Sequence, residues 1–388
     1  MIDTVVLLLP QHAYQITEPD KFVPSARWIT GISSSAVHGI QSRQNPTKKE
    51  LLAGIYKPRL TLFYRHHGEK QVMLKIELSL PKLFFGNNFQ ELKQKDLQPL
   101  LTKLSATLNQ MGVIVDPQEL AKAPVSVIHY SKNIKLTDGS TPYHYISKLK
   151  ESNMRMSLDV NQTDYRNEGH SYKWHCNSYE IVFYDKIKDL ENAKLSDKRS
   201  MEKDNAIQLN LFPKLAKRNP AFAYPGLPAR QASAGHRKKL EVLRMEVRLN
   251  KRQKMKQLFG KLGIKTNLTL KSLFKPAISK KVLLHYLDEL ENKRLPILDS
   301  KIENDKAYLA DLVFNNPGLS TKRILQAYGL SKALELVSLP ELKVILLKNN
   351  RKDWSKFMVE MSSIKIHNTA NPLLDLKQHI SKFRASHI

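Results

Sequence analysis

The stretch Tyr179-Glu180-Ile181-Val182-Phe183-Tyr184-Asp185-Lys186 reads as a buried strand that carries Tyr184 to the edge of a sheet, with Lys186 two residues on. Strands of the same kind lie on both sides of it. Val72, Leu74, Ile76, Leu78 and Leu80 share one face of a strand, and Lys75, Glu77 and Ser79 share the other, because side chains alternate with period two. Leu60–Tyr64 precedes it across the turn 66–70 and forms a hairpin with it. Val125–Lys135 alternates likewise, with His129, Ser131 and Asn133 on one side. Leu243, Met245, Val247 and Leu249 make an apolar face, and Arg244, Glu246 and Arg248 the polar face behind it. The run Val5–Leu9 reads as a further buried strand that stops at Pro10.

Between these strands, the leucines at 92, 97, 100, 101, 104 and 108 have helical spacing and predict a helix over 90–111. A short helix is expected from Thr141 to Glu151. Met154–Val160 is expected to pair with one long strand, Tyr172–Tyr184, around the polar turn 163–169, and a charged helix to run from Lys186 to about Asp204. Residues 206–235, with four prolines, read as a loop. Strands stop after Asn250, and the remainder is helical, including Val282–Leu290 and Asp305–Phe314. The expected fold class is α+β: an antiparallel-sheet domain over 1–258, followed by a helical C-terminal domain over 259–388.

The 63 Lys+Arg against 36 Asp+Glu leave a net charge of +27. An excess of that size costs self-repulsion and points to a polyanionic partner, above all nucleic acid. From Pro213 to Lys256 there are thirteen Lys/Arg and only two acids, which makes Arg237, Lys238, Lys239, Arg244, Arg248, Lys251 and Arg252 the expected DNA contacts. The single Cys176 excludes an internal disulfide framework and a Cys-cluster zinc site, which suits a reducing cytoplasm. No apolar run approaches membrane-span length, so a soluble, intracellular protein with no membrane partner is expected. No phosphate-binding glycine loop, HExxH, GxSxG or His-x-His pair occurs.

The polar faces of the strands hold the candidate chemistry. A tyrosine that cuts a phosphodiester needs the phenol, a cation or guanidinium against the phosphate charge, and a route for the proton. Tyr184 and Lys186 are the candidate catalytic pair. Glu77, His129 and Glu246 are candidate ligands for Mg²⁺ (or Mn²⁺), ions that prefer oxygen and tolerate imidazole. Each has a plainer reading. Tyr184 suits a sheet-edge aromatic, Glu77 and Glu246 solvated strand faces, His129 a satisfied or exposed histidine, and Arg244 and Arg248 surface charges. Spacing alone does not choose between them.

Five segments in order resemble the filamentous-phage gene II/gene X family of rolling-circle replication initiators and its plasmid relatives. They are Met1–Pro10, Ile76–Lys82 running into Phe85-Gly86-Asn87-Asn88, Val127–Asn133, Val182–Lys186 and Leu243–Arg248, with Asp353-Trp354 as a fainter likeness in the C-terminal part. The resemblance implies a nicking-closing enzyme of a phage or plasmid replicon in a bacterial host cell. Tyr184 would attack one strand at the origin and stay on the 5′-phosphate, leaving a 3′-hydroxyl for host polymerase; Mg²⁺ and a host helicase are further expectations. The family carries an aspartate where His129 stands, so a ligand there would have changed type. Ser320–Leu334, with Gly329 between two short helical patterns, reads as a helix-turn-helix or a plain αα-hairpin. The alternatives are a non-catalytic basic DNA-binding regulator of the same replicon and an RNA-binding protein; the latter lacks an aromatic RNP-type motif. Oligomeric state is left open.

Overall fold

A computed structural model describes the chain except residues 31–40, 48, 51–52, 66–70, 138, 151–168, 193–240, 293–294, 300–301, 303, 338, 348–350, 368–371 and 386–388. Its centre is an eight-stranded antiparallel sheet. The strands are β1 (Ile2–Leu9), β3 (Gln41–Gln44), β4 (Arg59–Arg65), β5 (Gln71–Ser79), β7 (Val125–Leu136), β8 (Ser171–His175), β9 (Tyr179–Asp185) and β10 (Glu241–Leu249). Two more, β2 (Gln15–Ile16) and β6 (Val113–Ile114), form a separate small pair. The order across the main sheet is β3-β4-β5-β1-β7-β10-β9-β8. Sequence-remote β1 and β10 therefore each fill a gap, β1 between β5 and β7, β10 between β7 and β9.

Register sorts the two faces. The pairs Val5↔Leu78, Leu7↔Ile76, Val247↔Tyr130, Met245↔Phe183 and Trp174↔Ile181 put the apolar residues of six strands on one side. Residues opposite one another in an antiparallel pair share a face. That side is covered by the helices Leu97–Gln110, through Leu100, Leu101, Leu104 and Leu108, and Pro276–Glu291, through Val282, Leu283, Tyr286 and Leu287. Helix Pro372–Lys382 packs beside the latter, with Leu373, Leu376 and Ile380 in the same core. A second core gathers Leu295, Tyr308, Leu312, Ile324, Trp354, Met358 and Met361 from the helices between 295 and 364. Although strands end at Leu249, the first core thus continues through Leu290 and takes the last helix back. The architecture is mixed α+β, with a large antiparallel sheet and a helical C-terminal region.

Several expected elements differ from what forms. The single strand Tyr172–Tyr184 is a hairpin, because Cys176-Asn177-Ser178-Tyr179 turns, with Cys176 N–H donating to the Tyr179 carbonyl at 3.0 Å. The helix expected from 90 begins at Leu97, after a 3-10 turn at Gln94–Asp96. Thr321–Leu336 is one continuous helix with Gly329 inside it, so neither a helix-turn-helix nor an αα-hairpin exists there. The helix at 142–150 and the start of the one from Lys186, described to Asn192, do form. The strand Met154–Val160, its turn up to residue 168 and the loop 206–235 lie outside the described residues.

Candidate active site

The polar face of the sheet is built from three parallel rows of cross-strand neighbours on β7, β10, β9 and β8. They are Asn133–Arg244–Tyr184–Ser171, Ser131–Glu246–Val182–Lys173, and His129–Arg248–Glu180–His175. The alternation read from Leu243–Leu249 therefore does aim Arg244, Glu246 and Arg248 to one side, with Tyr184 beside them.

Arg244 lies at the heart of this face, 1% exposed. Its Nη2 approaches Asp3 Oδ1 at 2.9 Å and donates to Ser131 Oγ at 3.0 Å. Nη1 donates to the Asn88 carbonyl at 2.6 Å and to Asn133 Oδ1 at 3.4 Å. Its Nε is buried without a hydrogen-bond partner. Asp3 reaches this side because β1 bulges: Ile2 pairs with Tyr130 but Val5 with Ile128, so one extra residue re-aims the strand's start. Arg244 was expected to contact DNA; its guanidinium is instead turned inward, into a charged pair inside the domain.

The loop after the helix Leu80–Phe85 closes that end. Strand β7 outlasts β1, so the backbone N–H of Asn133 has no ladder partner there. The Glu91 carboxylate takes its place, accepting from Asn133 N–H and Lys132 Nζ, both at 2.6 Å. A buried amide left unpaired would cost about 1–3 kcal/mol, which gives this acidic insert a structural purpose.

One step along β10, Glu246 is 2% exposed. Its Oε1 lies 3.4 Å from His129 Nδ1 and accepts from Arg248 Nε at 3.2 Å; Oε2 faces Arg248 Nη2 at 3.4 Å. Arg248 also donates to Glu180 Oε2 at 3.1 Å. Burial pushes the Glu246 carboxyl up, but Arg248, the His129 hydrogen bond and Arg244 outweigh it and hold the group well below the usual carboxylate range.

Tyr184 is half-buried and directly opposite Arg244. Burial raises its phenol well above the ordinary value; Arg244 draws it down, while Glu246 and Asp189 push it further up. Lys186 Nζ stands 5.4 Å from the Tyr184 ring centroid and bonds Asp189 at 2.8 Å. Asp185 points to the other face and caps the following helix, accepting from the N–H groups of Ile187 and Lys188. The Tyr-Asp-Lys sequence therefore ends the strand, starts the helix and frames the phenol in one stroke.

The proposed cation ligands are only partly gathered. His129 and Glu246 meet, but both Glu246 oxygens are engaged by cationic or imidazole groups. Glu77 lies on β5, paired with Val6 and Arg59, two strands away from His129. Among the described residues no group of three His, Cys, Asp or Glu side chains is arranged to hold a metal ion. The three residues do not fit a shared divalent ion as they are placed. Lys251 and Arg252 are exposed at the start of the helix Arg252–Lys261; Arg237, Lys238 and Lys239 lie outside the described residues.

Asp3, Glu91 and Glu180 are the polar-face residues that sequence reasoning passed over. Glu180 was within reach, since it alternates with Val182 and Tyr184; the bulge that turns Asp3 inward left no periodic trace. Comparison of the chain with family models, with curated proteins and with solved structures found no match. No helix among the described residues is long and apolar enough to cross a membrane.

Proposed function

We propose that the chain is a rolling-circle replication initiator that nicks and rejoins one DNA strand at a phage or plasmid origin through a covalent Tyr184 intermediate. The observation that carries the reading is the Tyr184↔Arg244 cross-strand pair, which sets the tyrosine beside a fixed, buried arginine on one face of the sheet. In the step proposed, Tyr184 Oη attacks phosphorus and forms the phosphotyrosine bond. The bond to the 3′-oxygen breaks, its electron pair stays on that oxygen, and the phenol proton leaves to solvent. A later attack by a 3′-hydroxyl on the phosphotyrosine reverses the exchange, restores the phenol and closes the strand. Arg244 opposes the burial that holds the phenol protonated, and the net charge of +27 supports a DNA partner. Mg²⁺ remains part of the proposal by resemblance alone.

The inward bonds of Arg244 favour a second reading, in which the charged centre only holds the sheet together and the protein is a non-catalytic DNA-binding regulator. Supercoiled plasmid carrying the cognate origin, incubated with the protein and Mg²⁺, separates them. Relaxed circles bearing bound protein support the initiator; tight binding with the plasmid left supercoiled supports the regulator.

A further inference from the structure

Beyond Lys251 and Arg252, the helical side of the sheet carries a basic stretch that the candidate site does not use. From Lys256 to Lys281 there are seven lysines and no acid, whereas the whole chain, with 63 Lys+Arg and 36 Asp+Glu, sets about four acids against every seven cations. We infer that this stretch is a surface that holds the phosphate backbone of a DNA duplex, on the side of the sheet away from Tyr184.

The fold buries the apolar residues of the stretch and leaves its charges outside. Leu258 and Phe259 of the helix Arg252–Lys261, Leu273 of the short helix Leu270–Leu273, Phe274, and Ile278 of the helix Pro276–Glu291 all enter the first core. Lys256, Lys261, Lys265, Lys271, Lys275 and Lys281 stay exposed, and Lys280 is half-buried. The middle of the stretch is fastened to the start of β7. There the Val125 N–H donates to the Leu268 carbonyl at 2.9 Å, and the Leu270 N–H donates to that of Ala123 at 3.1 Å. The two longer helices are near enough for their charges to be felt between them: burial lowers the imidazole of His285, and Lys261 lowers it further.

These charges are not spent inside the protein. None of the seven lysines forms an ion pair among the described residues. Glu119, on the helix that packs against Leu270–Leu273, is taken by Lys122 at 3.2 Å, and Asp288 and Glu291 are both taken by Lys377. Lys275 opens the helix Pro276–Glu291, which has no acid in its first turn, so its charge opposes the helix dipole rather than serving it. A merely solvated face mixes both signs; a run of one sign repels itself until a polyanion covers it. The aromatics of the stretch, Phe259 and Phe274, are buried, so no ring is offered to an unstacked base. Lysine holds phosphate as a point charge and reads no base in doing so. A duplex, with its bases stacked inside and its phosphates outside, is the polyanion that fits.

The surface and the proposed reaction centre lie on different sides of the sheet. Leu258, Phe259 and Ile278 share their core with Met245 and Val247, which alternate along β10 with Arg244 and Glu246 of the polar face. DNA held here is therefore a separate stretch from the strand at Tyr184, one that passes round an edge of the sheet to reach it. The polyanion surface rests on its own charges; that the polyanion is DNA rests on the proposed function.

The test compares full-length wild type with a Lys265→Gln/Lys271→Gln/Lys275→Gln/Lys281→Gln variant, all four residues being exposed. Affinity for a short DNA duplex of unrelated sequence is measured against salt. The variant is expected to bind about tenfold more weakly, with the log–log slope reduced by about 3 to 4. Unchanged affinity and slope would overturn the surface. Arginine at the same four positions keeps the charge and is expected to bind the duplex as wild type does; a loss as large as that of the glutamine variant would overturn the role given to charge. A single-stranded oligonucleotide is expected to bind wild type and the glutamine variant alike, and an equal loss for the single strand would overturn the assignment to a duplex. An RNA duplex of the same length that wild type binds more tightly than DNA, and the variant does not, would overturn the assignment to DNA. Covalent adduct on a single-stranded origin oligonucleotide, scored in parallel, should be the same in both proteins. Its loss from the variant alone would contradict the separation of the two sides, and its absence from both would sink the nicking reading while leaving the duplex surface standing.

Discussion

Asp3 and Arg244, from strands at opposite ends of the domain's sequence, meet at 2.9 Å on the polar face of the sheet, and Asn88 and Ser131 complete the arginine's shell. Arg244 is thereby fixed directly opposite Tyr184. The candidate site depends on a charge pair that is also a structural joint between β1 and β10, although β7 lies between them.

Breaking that joint from one side strands a buried charge. Arg244→Met should destabilise the fold by about 3–5 kcal/mol, and pairing it with Asp3→Asn should recover much of the loss, since both charges are then gone. Urea denaturation of the two single variants and the double variant gives the coupling. Additive losses would contradict the pairing.

Glu246 makes stability depend on pH in one direction. Its folded pKa is depressed by Arg248, His129 and Arg244 against the cost of burial. Its contribution is therefore complete above the ordinary carboxylate value near 4.5 and is lost as pH falls below that, towards the folded value. Glu246→Gln should flatten the acid limb of the stability profile between about pH 4.5 and 2 relative to wild type. A profile in which the variant loses stability as steeply as wild type would mean the carboxylate is not held as described.

The phenol of Tyr184 is raised well above its ordinary value. With the phenol protonated through the neutral range, the single-turnover rate of adduct formation should climb with pH across 7 to 9, by up to about tenfold per unit where loss of that proton limits the step. A plateau from pH 7 upward would point to a phenol already ionised there, against the burial seen.

Lys251 and Arg252 are exposed and outside the buried network. Changing both to Gln should leave the unfolding free energy within about 0.5 kcal/mol of wild type while lowering the salt slope of DNA binding by about 2. Filter binding at several salt concentrations measures it, and an unchanged slope would remove them from the DNA-binding surface.

Much of this was legible from alternation. Period two placed His129, Ser131 and Asn133 together, and set Arg244, Glu246 and Arg248 on one face, because a strand buried on one side must alternate. What could not be read was which strands are neighbours: β1 and β10 enter the sheet beside partners far away in sequence, so the Tyr184↔Arg244 opposition and the separation of Glu77 from His129 exist only in the fold. Asn177-Ser178 is a weak turn signal between two alternating, aromatic-rich segments, and the β8–β9 hairpin was missed for that reason. Glu91, set among leucines of helical spacing, looked like a helix residue, yet the end of β1 leaves an amide that its carboxylate takes up. Gly329 suggested a break in a helix whose neighbours keep it continuous.

We propose that Tyr184 forms the covalent bond to DNA. An origin oligonucleotide labelled on the side 3′ to the nick, incubated with protein and resolved under denaturing conditions, should give a labelled protein band whose tryptic peptide contains Tyr184. Tyr184→Phe should bind the same oligonucleotide and give no band. A band that persists in Tyr184→Phe, or its absence from wild type that binds the origin, would contradict the claim.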